Sequence, residues 1–331
     1  MNKHIYTNLI KRTLFILLSS TVMVFFSEKV FWYVQGYAIL ELVLFYALPV
    51  SVCMWMIDLF RIQRLSGVVL IGALFGFIVE GVLTPVAYES GLLDPVMPAY
   101  FVGWHGLLSL VFGWYLIRKW MIEGSWKKLL LTGSAFGIFW GLWSLIYRLP
   151  ENIQEFEEYI LTGEHWLPGA WPVGDYLFYT ITFTGMLMIA HWLLGRGIWQ
   201  PSFKSKPWEI IILIGILAFI FAFTVFPIVP LGILKLIAMI ALVILPLMIN
   251  HLQRDEVSVL SSLEGRIRFS HTFPLLIIPL WATLIYGLAA IFPPPESWLK
   301  TLYESFSIIQ ALIGAGFFIW AWVDSVKKPI K

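Results

Sequence analysis

Long apolar runs, each closed by a cluster of charged or turn-forming residues, follow one another through almost the whole of this chain. A crossing of the bilayer takes about 20 predominantly apolar residues. On that measure the pattern predicts ten membrane-spanning helices, near residues 13–34, 36–57, 66–88, 99–117, 129–147, 175–194, 208–228, 229–250, 272–292 and 302–323. The fold class expected is therefore all-α, a polytopic transmembrane helical bundle forming a single integral membrane domain over 1–331. The division between the seventh and eighth runs rests on Pro227 and Pro230 alone, and a count of nine is the alternative. The N-terminal segment has the basic and apolar regions of a secretory signal. Its apolar run leads into Ser27-Glu28-Lys29 and then Val30-Phe31-Trp32-Tyr33 without a small-residue cleavage site, so it reads as an uncleaved anchor and the first span.

The basic residues test the count independently, because Lys and Arg gather in alternate loops when crossings are assigned correctly. Of the 22, eighteen fall in one set of alternate segments, from Lys3, Lys11 and Arg12 through Arg61 and Arg64 to Lys327, Lys328 and Lys331. The other set holds Lys29, Arg148 and Lys300, and Lys235 lies within a span. Removing one crossing scrambles the alternation beyond that point. Ten spans with both termini in the cytoplasm is the expected topology, and the cell (plasma) membrane the expected location.

Composition agrees. The chain is 60% hydrophobic and 13% charged, with a mean hydropathy of +0.84, whereas about a quarter of a soluble domain is charged. A net charge of +2, scattered over many loops, excludes nucleic acid as a partner. The partners left are membrane lipids and a small solute or lipid substrate. The single cysteine, Cys53, sits in an apolar run and excludes a disulfide framework or a cysteine-based metal site. The 17 Trp, 13 Tyr and 26 Phe suit interface belts and lipid-facing bulk.

One outer segment, 148–174, is far longer than its neighbours and carries five glutamates; 152–161 within it suits an amphipathic surface helix or a lid. Leu70-x-Gly72-x-x-Phe75-Gly76 returns as Leu131-x-Gly133-x-x-Phe136-Gly137, which raises a parallel repeat of helix pairs near 66–119 and 129–199. Small residues at that spacing equally serve close helix packing.

An ionisable side chain deep in a bilayer is costly, by about 2.5–3.5 kcal/mol on insertion scales, so such residues mark candidate sites. Glu80, in FGFIVEGVLTP, is expected about eight residues from the outer end of the third span. His105, in YFVGWHGLLSLVFGWY, is expected about six residues below the outer end of the fourth. A short loop joins those spans, so they should be adjacent and antiparallel, which lets Glu80 and His105 meet. Glu41 and Lys235 are expected in the same outer third of the bilayer, and the four together suggest a polar cavity opening outward. Each also has a plain reading: a neutral, hydrogen-bonded Glu80, a packing His105, an interfacial Glu41 and a snorkelling Lys235. His191 is read as interfacial, near the inner end of the sixth span.

The zinc-protease HExxH, the nucleotide-binding GxxxxGK[ST] and the serine-hydrolase GxSxG are absent. Nothing points to a cofactor or a metal. Trp104-His105-Gly106 resembles the triplet around the catalytic histidine of membrane-bound O-acyltransferases, over those three residues and without that family's arginine-rich, asparagine-bearing loop. The stretch from Glu80 through Tyr88 and Pro98 to Trp104 is loosely similar to the acid-bearing region of membrane carotenoid-modifying enzymes.

Three functional readings follow. The first is a secondary transporter or permease in which Glu80 exchanges a proton while His105 and Lys235 contact the solute, with Pro49, Pro85, Pro246, Pro274 and Pro279 breaking or kinking helices around it. The second is an intramembrane enzyme acting on a lipid or isoprenoid, with Glu80 and His105 as acid–base pair or metal ligands. The third is a structural or assembly subunit. The topology is directly testable: in a Cys53→Ala background, single cysteines at Glu157 and Glu264 should be labelled by an impermeant thiol reagent from outside and from inside respectively. Labelling of both from one side would overturn the ten-span map.

Overall fold

The computed structural model describes residues 3–30, 38–149, 172–196, 203, 206–251 and 258–327. The surface helix or lid expected at 152–161 lies outside them. The described residues are predominantly helical, without strands, as a bilayer requires of a chain that must satisfy its backbone hydrogen bonds internally. Ten helices are long and apolar enough to cross: α1 Leu9–Lys29, α2 Ile39–Leu59, α3 Leu65–Leu83, α4 Val96–Glu123, α5 Trp126–Arg148, α6 Val173–Leu194, α7 Pro207–Thr224, α8 Gly232–Ile249, α9 Phe269–Ile291 and α10 Glu296–Val326. The seventh and eighth are separate helices, and the turn between them carries Pro227 and Pro230.

Several boundaries move. α3 stops at Leu83, where Thr84 turns extended and Pro85 follows outside the helix. Glu80 therefore stands three residues, about 4.5 Å, from the helix end, and not the eight expected. Pro49 and Pro246 lie inside α2 and α8. α9 opens as a tight 3-10 stretch, Phe269–Leu276, around Pro274, and becomes α-helical from Ile277 with Pro279 in the first turn, where no amide hydrogen is needed. Lys29, assigned by the charge pattern to an outer segment, is the last residue of α1 and is 2% exposed, its ammonium 4.5 Å from the centre of the Phe183 ring.

α3 is the axis of the bundle. It packs against α2, α4, α8 and α10, and 94% of its most apolar window is buried. α7 has the same mean hydropathy, 2.2, yet only 6% of its window is buried; it lies at the periphery against α2 and the last turn of α3. α5 pairs with α9, and α1 with α2, α4 and α6.

Close approach of α3 and α4 depends on missing side chains. A Cβ on Gly72 would stand 2.8 Å from the Gly106 carbonyl oxygen, and one on Gly76 would stand 2.9 Å from that of Phe101. Gly133 and Gly137 serve packing in the same way, but against α9. α4 and α10 interlock through Gly103 and Gly314, where an added Cβ would run into the carbonyls of Gln310 and Ala99.

Segments expected on one side of the membrane meet at one end of the bundle. Arg12, in α1, pairs with Glu209 at the start of α7 at 3.2 Å. Arg64, before α3, reaches Asp324 near the end of α10 at 3.8 Å, and Ser66 donates to the same carboxylate at 2.6 Å. Both ends of the described chain thus lie at one end of the bundle, as an even number of crossings demands.

The glycine contacts generate a paired test. Gly314→Leu should lower thermal stability in detergent by about 1–3 kcal/mol or prevent folding, because it overpacks a backbone contact. Gly316→Ala, one helical position into open space, should be neutral or slightly stabilising. Equal effects in a melting assay would show that the α4–α10 seam is not close-packed.

Candidate functional site

Glycines one turn apart decide what can meet between α3 and α4. Gly72, Gly76 and Glu80 follow at i, i+4 and i+8 and so form one stripe along α3. Because α4 runs antiparallel, Gly72 faces Gly106, and the Cβ position of Gly76 lies 3.3 Å from the Cβ of His105. One turn further on, Glu80 reaches the imidazole: Oε1 lies 2.6 Å from His105 Nε2. The other carboxylate oxygen accepts from the Thr84 hydroxyl at 2.8 Å.

The second ring nitrogen leads to α1. His105 Nδ1 is 3.1 Å from Ser27 Oγ, and Ser27 Oγ is 2.6 Å from Ser109 Oγ, one turn below the histidine. Trp104 locks the geometry: its indole stacks on the imidazole with centroids 4.8 Å apart, and its Nε1 donates to the Ser27 carbonyl at 3.1 Å. The Tyr46 hydroxyl of α2 donates to Glu28 Oε1 and also engages Ser27. A continuous polar line thus runs from Glu80 through His105, Ser27 and Tyr46 to Glu28. Its middle is sealed, with His105 and Ser27 at 0% exposure, whereas the Glu80 side chain is 10% exposed and Glu28 is partly exposed. The two carboxylates and the imidazole lie within electrostatic range of one another.

Three of the participating helices leave the α-helical register at this point. The backbone takes the wider π form over Phe25–Lys29, Val79–Leu83 and Val102–Leu116, which contain Ser27 and Glu28, Glu80, and His105 with Ser109. Such turns are rare and gather at functional sites. The turn Val86–Tyr88 follows α3 and folds back on its end, the Tyr88 hydroxyl donating to the Gly81 carbonyl at 2.7 Å. Burial pushes the Tyr88 phenol up to about 12, so it remains a donor at any physiological pH.

Compared with known proteins, the chain matches no family model, no curated protein and no solved structure. The short likenesses to O-acyltransferases and carotenoid-modifying enzymes therefore carry no family assignment, and the chemistry rests on the residues themselves.

Of the four residues singled out by sequence, the structure brings Glu80 and His105 together and leaves the others apart. Glu41 is exposed on α2. Lys235 is 8% exposed and turns to the loop before α4, its ammonium donating to the Gly91 carbonyl at 2.8 Å. His191, read as interfacial, is fully buried in electrostatic range of Arg118. Arg118 itself donates to the carbonyls of Leu194 and Leu263, each at 3.1 Å. Ser27, Glu28, Tyr46 and Ser109 escaped the sequence reading. Ser27-Glu28 was visible only as the polar end of an apolar run, and serines inside a span carry no charge to attract notice. Among the described residues, no group of three or more His, Cys, Asp or Glu side chains converges in a way that would hold a metal ion.

Glu80 Oε1 and His105 Nε2 satisfy one another, so removing either side chain leaves the facing atom of the other without that partner in a largely buried site. Glu80→Leu and His105→Leu should each destabilise by about 1–3 kcal/mol, and the double variant by less than their sum, because replacing both partners by apolar groups leaves nothing unsatisfied. Additive losses in detergent unfolding would show that the contact is not energetically coupled.

Proposed function

We propose that the chain is a proton-coupled secondary transporter or permease of the plasma membrane, with both termini cytoplasmic and the Glu80–His105–Ser27 line as its proton-handling element. The observation that carries this reading is the buried imidazole held between a carboxylate on one nitrogen and a hydroxyl on the other. The end of the bundle bearing Arg12 and Arg64 is assigned to the cytoplasm because it collects most of the basic residues.

Imidazole passes a proton on by exchanging tautomers. With Glu80 protonated, its O–H donates to Nε2, Nδ1–H donates to Ser27, and Ser27 donates onward to Tyr46, which donates to Glu28. Transfer from Glu80 to Nε2 releases the Nδ1 proton to Ser27, the Ser27 proton to Tyr46 and the Tyr46 proton to Glu28. The net result is a proton moved from one carboxyl to the other, with every intermediate group restored to neutrality. Because the ends of the line touch the surface and the middle does not, protonation of one carboxyl is felt at the other without water entering between. A small solute whose binding alters access to either carboxyl then couples to proton uptake.

A second reading has its own observation. Ser27 Oγ against one imidazole nitrogen, with Glu80 on the other, is the arrangement of a serine nucleophile, its base and the orienting acid, which would suit acyl transfer on a lipid or isoprenoid substrate. The two readings part experimentally.

In proteoliposomes loaded with a pH dye and challenged with pools of small organic solutes, a pool that triggers proton flux should lose about a hundredfold of its effect in Glu80→Gln, the order of one general acid–base group. Insertion and folding should be unchanged, and adding His105→Gln should lower the flux little further, since the two act as one unit. Full flux in Glu80→Gln would falsify the relay. Covalent capture of Ser27 by a fluorophosphonate would transfer the assignment to the enzyme.

A further inference from the structure

Away from the relay, a groove of about 590 Å³ runs between α8, α10 and the start of α4, capped by residues 92–95. On α8 it is floored by Leu234, Ala238 and Leu242, spaced i, i+4 and i+8, and so it follows a single helix face for about 12 Å. That is most of the depth of one leaflet, since the whole hydrocarbon core is about 30 Å thick. Its walls are apolar down to Phe318; the charged groups in it, Lys235 and Asp94, both stand at its mouth. The groove opens sideways, because Leu234 and Leu242 on its floor are 62% and 48% exposed to what would be lipid.

We infer that this groove is a binding site for one glycerophospholipid with a primary-ammonium headgroup, of the phosphatidylethanolamine type, its chain along α8, its phosphate on Lys235 and its ammonium on Asp94. Depth, apolar lining and lateral opening select a lipid chain over a water-borne solute. The mouth selects the headgroup. An ammonium has three donors, and Lys235 gives one to the Gly91 carbonyl, which leaves two for a phosphate. Asp94 accepts from the Ser90 hydroxyl and from the amides of Val96 and Met97 at 3.0 and 3.2 Å, fixing the carboxylate beside Lys235. The Ser90 hydroxyl and the Val96 amide hold the Asp94 carboxyl below its usual range, so it keeps its negative charge at physiological pH. A purely anionic lipid meets Lys235 favourably but Asp94 unfavourably, whereas a zwitterion with the ammonium beyond the phosphate meets both. A quaternary ammonium has no hydrogen to donate to Asp94, and among the described residues the mouth has no aromatic cage to recognise it.

The test uses the full chain in nanodiscs of equal parts palmitoyl-oleoyl phosphatidylethanolamine and phosphatidylglycerol, released for native mass spectrometry. The wild type should retain one phosphatidylethanolamine in preference to phosphatidylglycerol. Lys235→Met should reduce retention about tenfold, the worth of a charge-assisted hydrogen bond. Asp94→Asn should shift the preference toward phosphatidylglycerol. Ala238→Phe should empty the groove with both charges in place, and it carries the test alone if Lys235→Met fails to fold. Retention in the proportion of the bulk lipid, a wild-type preference for phosphatidylglycerol, or retention indifferent to Ala238→Phe overturns the site. None of these variants touches Glu80, His105 or Ser27, so failure here leaves the relay standing, and failure of the relay leaves this site standing.

Discussion

Where α3 and α4 cross, Gly72 and Gly106 let two backbones touch, with a Cβ on either glycine meeting the other at 3.0 Å or less. In lipid no hydrophobic force drives helices together, because the tails are as apolar as leucine; what remains is packing, interhelical hydrogen bonding and lipid entropy. The glycine seam supplies the first and makes the second possible. A carboxylate and an imidazole on helices held apart by ordinary side chains would not come within 2.6 Å. The seam sets the separation; the stripe Gly72, Gly76, Glu80 sets the direction. The same contact also places Trp104 where it can lie flat on His105 and hold Ser27 by its carbonyl, so α1 is fixed by the crossing of two other helices.

The π turns complete this arrangement. A residue inserted into an α-helical turn rotates everything beyond it by about 100°, so side chains that would share the lipid-facing surface can be swung inward. Such stretches occur in α1, α3 and α4, five residues long in the first two and fifteen in the third, and they include Ser27, Glu80 and His105. Each contributes a polar group to the same line. Wider turns are less favourable than α-helix, and the buried hydrogen bonds of Glu80, His105 and Ser27 are the local compensation on view. Distortion and polar network depend on each other, which ties the site to a particular backbone rather than to loose side chains.

How much of this was legible in the sequence follows from what lipid demands. Length and continuity of the apolar runs are imposed by bilayer thickness, so the ten helices and their alternating basic segments were readable. Which helix sits in the middle was not. α3 and α7 have the same mean hydropathy, 2.2, and opposite burial, because a span buried in protein and one bathed in lipid need the same composition. The contact of Glu80 with His105 was foreseeable from a short connection between two adjacent helices. The separation of Lys235 and Glu41 from it was not, since depth alone says nothing of direction around the bundle. Glu28 was hidden for a related reason. A charge at the end of an apolar run looks the same whether it meets water or, as here, a tyrosine of the next helix.

The bundle therefore uses its few polar groups in two ways. Along Glu80, His105, Ser27, Tyr46 and Glu28 each group has a hydrogen-bonding partner in the protein, so the line is complete without water and its protons can be rearranged without breaking the packing around it. At Lys235 and Asp94 the opposite holds: both line the groove, where donors and a lone pair remain for something outside the chain. A self-satisfied network inside and a half-satisfied pair at the rim differ in what they can respond to. The first answers to a change in protonation, because every other demand on it is already met. The second has capacity left for a further partner, because its own do not exhaust it. Since α8 packs on α3, the helix that carries Glu80, the rim pair and the internal line bear on one central helix through separate contacts.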